Sequence, residues 1–138
     1  MTERPTTQEA LIYLMVIASA SDRDMTDAEL ARIGEVVRAW PVFEGFDDRR
    51  IIPVAQDCQK LLQQSEGLGG VLSIVAQVVP ERLRDTAYAA ALDVAAVDLE
   101  LRLEEVRLLQ LLRQSLGLDE TTSQMIERAA KARHRTLA

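Results

Sequence analysis

Asp22, Asp24 and Glu29 fall within eight residues in the stretch ASASDRDMTDAEL, and Asp98, Glu100 and Glu105 repeat their spacing in AAVDLELRLEEV. An offset of 76 residues lays each acid on its counterpart. The apolar neighbours follow the same offset: Ala20 meets Ala96, Met25 meets Leu101, Leu30 meets Val106 and Ile33 meets Leu109. Asp27 drops out of the set, because its counterpart is Leu103. Carboxylates brought together repel, so they must take up protons or share a cation. A site built only from oxygen ligands favours Mg²⁺, Ca²⁺ or Mn²⁺. Zn²⁺ is a weaker choice without His or Cys nearby, although carboxylates do bind it. The segment is not an EF-hand, since Glu29 comes too early and the central Gly is absent. The competing reading is structural: acids at a turn and in a first helical turn are stabilised by the helix dipole.

The elements that would hold these acids are helices. The first is expected from about Thr7 to Ser21, with apolar residues around nearly its whole middle, which places it centrally. After the break at SDRDM, Thr26 and Glu29 form a capping-box pattern that starts a second helix. Arg102 stands at the counterpart of Thr26 and cannot cap in the same way, yet the acid recurs as Glu105. That recurrence suggests a second role for the position. Leu30, Ile33, Val36 and Val37 give the second helix an apolar face, and Pro41 ends it. Asp47 or Asp48 is expected to cap a third helix reaching about Ser65. Gly67, Gly69 and Gly70 are read as punctuation before a short fourth helix ending near Val79. Pro80 is placed in the first turn of a fifth, which runs from Glu81 to about Leu99 and is apolar and Ala-rich. A sixth runs from about Arg102 to Leu116, stopped by Gly117 as C′ residue. A seventh is capped by Asp119 and frays into KARHRTLA. No stretch alternates with period two, so no sheet is expected. The result is an all-α fold: one domain over residues 1–138, with its core at about 8–133, in a single compact bundle of about seven helices.

Composition narrows the function classes. The chain has 138 residues, enough to bury a core without staples. The net charge of −6 argues against nucleic acid or an anionic membrane as an electrostatic partner. The single cysteine, Cys58, permits no intrachain disulfide and fits a reducing compartment. The longest apolar run, Ala10 to Ala18, is shorter than the ~20 residues a membrane span needs. The opening MTERPTTQEA lacks the basic and apolar regions of a signal peptide. A cytoplasmic location is therefore expected. No phosphate-cradling Gly loop, Ser-His-Asp set or Cys pair is present, so no enzyme is expected.

The stretches IASASDRDMTDAELARI and DVAAVDLELRLEEVRLL, with WPVFEGFDD between them, resemble the TerB-like family, named for bacterial tellurite resistance. The resemblance spans roughly residues 8 to 133. It implies an all-helical bundle in which two acidic hairpins form a metal site, here Asp22, Glu29, Asp98 and Glu105, with Asp24 and Glu100 as secondary ligands. Arg23 and Leu99 stand where many members carry Gly. The implied role is a stress-response accessory or sensing module working with a protein partner. A related domain occurs in membrane-tethered co-chaperones, which leaves peripheral membrane association through partners, and a homodimer, open. The alternative is an interaction scaffold or co-chaperone-like accessory domain whose acids are purely structural.

Four further features need an explanation. Asp93 lies in the apolar fifth helix, where a carboxylate needs a partner: either a neighbouring helix end or the acidic site. His134 sits among Arg128, Lys131, Arg133 and Arg135, which suits a helix C-terminus or a small anion-docking patch. Cys58 is read as a buried, inert thiol. Trp40, Phe43 and Phe46 are expected either to plug the core beneath their loop or to expose a partner surface.

Overall fold

The computed structural model of the chain describes residues 4–20, 24–95 and 103–137. The elements are α1 (Thr7–Ala20), α2 (Asp27–Ala39), α3 (Ile51–Leu62), α4 (Gly67–Val78), α5 (Arg84–Ala95), α6 (Leu103–Leu116) and α7 (Glu120–Arg133). Short 3-10 turns at Pro41–Phe43, Asp48–Arg50 and Glu81–Leu83 link them, and there is no strand among the described residues. The all-α fold expected from the periodicity is the one observed.

Helix α1 is central because every residue from Ala10 to Ile17 is buried. A helix apolar on all sides can be stable only when it is surrounded. Its partners are α5, which makes the most extensive contact, then α4, α3 and α2. Its start is fixed by a second capping box: the Glu9 N–H donates to Thr6 Oγ1 (3.2 Å) and the Thr6 N–H to Glu9 Oε1 (2.8 Å). Helix α5 forms the other half of the centre, with Ala87, Tyr88, Ala90, Ala91, Leu92 and Val94 buried. Helix α7 packs on α5, and α3 and α4 pack on each other and on α1.

The repeat extends from the acids to the elements. Helix α6 starts at Leu103, the counterpart of Asp27 at the start of α2, and α5 starts one residue after the counterpart of Thr7. Buried positions correspond as well. Leu11, Leu14 and Met15 of α1 match Ala87, Ala90 and Ala91 of α5; Ile33 and Val36 of α2 match Leu109 and Leu112 of α6. At these three α1–α5 pairs the bulk is on α1, whereas at Ile12–Tyr88 and Val16–Leu92 it is on α5. Small side chains on a helix permit a neighbour to approach it closely, and α1 and α5 make the most extensive helix–helix contact of the bundle.

Three boundaries differ from expectation. Gly67, Gly69 and Gly70 do not precede α4; they form its first turn. Gly67, at φ +51°, reverses the chain straight out of the turn after α3. A Cβ on Gly70 would fall 2.6 Å from the Glu66 Cβ. Burial of Val71, Leu72 and Val75 outweighs the poor helix propensity of the glycines. Pro80 lies outside any helix, capping the 3-10 turn before α5. Asp47 caps the turn Asp48–Arg50, and the third helix stops at Leu62 rather than near Ser65. The expected end of the fifth helix near Leu99 lies outside the described residues.

Other ends follow the sequence. Thr26 and Glu29 complete their capping box, Trp40 closes α2 before Pro41, and Asp119 Oδ1 accepts from the Thr122 N–H at 2.7 Å. Gly117, at φ +66°, closes α6: its N–H reaches Gln114 O and the Leu118 N–H reaches Arg113 O, both at 3.1 Å. That 5→2 and 6→1 pair is the Schellman arrangement. One device had no local signature. Arg84 donates to Ala76 O (3.1 Å), Leu116 O (3.4 Å) and Val79 O (3.5 Å), tying the C-terminal ends of α4 and α6 to the start of α5.

Candidate functional site

The acidic hairpins are α1–α2 and α5–α6. Helix α2 touches α5 as well as α1, and α6 touches α1 as well as α5. Each outer helix therefore lies on the central helix of the other half, which is the packing a pseudo-twofold pair would have. Of the six acids, Asp24 and Glu29 are described. Asp22, Asp98 and Glu100 lie outside the described residues. Glu105 falls in the first turn of α6, with its side chain outside them.

Glu29 has an identifiable structural task. Its Oε1 accepts from the Thr26 N–H at 2.9 Å, while its own N–H donates to Thr26 Oγ1 at 3.1 Å. Unlike an ordinary surface capping residue, it is only 7% exposed. Asp24 and Asp27 on the same turn are exposed. A buried carboxylate demands charge or hydrogen-bond compensation, and the capping box supplies part of it. Among the described residues, no group of three or more His, Cys, Asp or Glu side chains is arranged to hold a metal ion.

Asp93 finds its partners at a helix end. Its Oδ1 accepts from Arg133 Nη2 (3.1 Å) and Nε (3.2 Å) and lies 3.0 Å from His134 Nε2. These contacts pin the C-terminal end of α7 to α5, and His134 is the C-cap of α7, the helix-end position that was one of its two expected places. A second network also ties α5 to α7. The Tyr88 hydroxyl donates to Glu127 Oε2 at 2.6 Å, and Arg113 Nη1 donates to the same oxygen at 3.0 Å. It joins α5, α6 and α7 through residues far apart in sequence.

Cys58 is fully buried, with Sγ 3.8 Å from Tyr13 O. Burial pushes its thiol up to about 12. A thiolate is the reactive form, so the native protein should resist a disulfide reagent at pH 8. Labelling is expected only after denaturant is added; rapid stoichiometric labelling of the native chain would contradict this burial.

The aromatic loop packs onto the core, as one of the two expectations had it. Phe43 is buried and meets Phe46 edge-on at 6.4 Å between ring centroids. Trp40 and Phe46 pack on the core while staying half-exposed. With Pro41, Glu44 and Asp47 they line a shallow cavity of about 480 Å³. No described helix is long and apolar enough to cross a membrane. Compared with models of known protein families, with curated proteins and with solved structures, the chain matches none of them.

Proposed function

We propose that this chain is a non-enzymatic, divalent-cation-binding helical module of the TerB-like type, acting in a bacterial stress response together with a protein partner. The observation that carries the reading is the acid set repeated at an offset of 76 residues in sequence, beside two hairpins whose helices pack reciprocally. Asp22, Glu29, Asp98 and Glu105 are the ligands in this reading, with Asp24 and Glu100 in support. Hard oxygen donors favour Mg²⁺, Ca²⁺ or Mn²⁺ over Zn²⁺. A cytoplasmic location fits the lone buried thiol.

Calorimetric titration of chelator-treated protein with these four ions tests it. Binding tighter than millimolar is expected, together with its loss in Asp22→Asn plus Asp98→Asn. Glu29→Gln keeps a capping acceptor but removes the charge, so it should retain the fold and weaken the ion. No binding by the parent chain, or equal binding by the double variant, would sink the proposal.

A second reading, a protein-interaction scaffold, draws on the half-exposed Trp40 and Phe46 around their cavity. Under that reading, metal-free and metal-supplemented protein melt at the same temperature.

A further inference from the structure

The first half of the chain holds a cavity of about 690 Å³ between α1, α3 and α4. Its lining includes Glu9 and Tyr13 of α1, Asp57 and Lys60 of α3, Ile74 of α4, and Arg4 ahead of α1. Tyr13 is 6% exposed. No hydrogen bond engages its hydroxyl among the described residues, although no fully buried side-chain N or O among them lacks a partner. The hydroxyl therefore reaches solvent, and this cavity is the opening that the ring lines.

The charges around it are unevenly committed. Glu9 accepts from the Thr6 N–H and from Arg50. Burial pushes its carboxyl up, but those two donors outweigh the effect and hold it below the usual carboxylate range. Arg4 donates to the neutral Gln77. Lys60 and Asp57 form no ion pair among the described residues. Counting Arg50, the lining carries three cations against two carboxylates, on a chain whose net charge is −6. Burial raises the Tyr13 hydroxyl to about 12, helped by Cys58, Asp57 and Glu9, so at neutral pH it is a donor.

The repeat supplies a comparison within the molecule. The counterparts of Glu9 and Tyr13 on α5 are Asp85 and Ala89. They line a smaller groove of about 340 Å³ against Thr122, Met125 and Ile126 of α7, with no basic side chain. The counterpart surface of α5 thus carries neither a tyrosine nor cations. We infer that the α1–α3–α4 cavity binds a small organic anion, a carboxylate or phosphate ester. Lys60 and Arg4 balance its charge, the Tyr13 hydroxyl donates to an oxyanion oxygen, and Pro5, Leu61 and Ile74 pack against its carbon frame. Sites of this size with a few convergent polar groups are typical of small-molecule binding.

The test is a titration of the isotopically labelled full chain, freed of divalent ions on a chelating resin, followed by amide shifts. Inorganic phosphate and succinate serve as separate probes at constant ionic strength, with chloride as control. Saturable shifts at Tyr13, Lys60, Leu61 and Ile74 are expected with at least one oxyanion and not with chloride; which probe saturates tells phosphate from carboxylate. Tyr13→Phe removes one hydrogen bond and should weaken binding about fivefold. Lys60→Ala, at an exposed position, should weaken it at least as much, and Met125→Ala in the second groove should not. Linear, non-saturating shifts with both probes would overturn the inference. So would equal affinity in Tyr13→Phe with its amide spectrum intact. Because no divalent ion is present, this outcome is independent of the metal reading.

Discussion

Leu14→Ala is expected to lower the unfolding free energy by about 2–5 kcal/mol, the range for deleting a fully buried leucine side chain. Leu14 is 0% exposed and sits midway along α1, the helix that α2, α3, α4 and α5 all contact. Its neighbours along α1 are buried as well, so a void there is not relieved by water. Urea unfolding should show a lower midpoint with an unchanged slope. The reverse change at the counterpart position, Ala90→Leu, should cost about 1–3 kcal/mol by overpacking. If either variant matched the parent, α1 and α5 would not be the tightly filled centre described above.

Glu127→Ala is expected to cost more than Tyr88→Phe, although both remove the same 2.6 Å hydrogen bond. Removing the carboxylate leaves the hydroxyl of the fully buried Tyr88 without an acceptor, a penalty of about 1–3 kcal/mol. Arg113 also loses its partner. Tyr88→Phe removes the hydroxyl itself and leaves the Arg113–Glu127 pair, so the loss is about 1 kcal/mol. Thermal or urea unfolding of the two variants decides it; equal losses would mean that the site relaxes to let the hydroxyl reach water.

Features governed by a few neighbouring residues were legible in the sequence. The unbroken apolar run of α1 stated its burial, Thr26 with Glu29 stated a helix start, and Gly117 stated a stop. The glycines of α4 misled because propensity is a local preference, whereas Val71, Leu72 and Val75 bury that helix through tertiary contacts. Asp93 shows where the boundary lies. A carboxylate in an apolar helix announces that a partner exists, but Arg133 and His134 are found only once α7 has folded onto α5. Arg84 and the Tyr88–Glu127–Arg113 network were silent for the same reason. Of the candidate acids, the sequence identified the capping role of Glu29. Its burial depends on packing that no local pattern encodes.

The unequal side-chain sizes along α1 and α5 make the two halves non-interchangeable. Leu11, Leu14 and Met15 outsize their counterparts Ala87, Ala90 and Ala91, while Tyr88 and Leu92 outsize Ile12 and Val16. Replacing either central helix by a copy of the other would change the side-chain volume at all of these buried positions, which a close-packed core resists. The halves share a pattern of elements, yet each is shaped for its own place in the bundle.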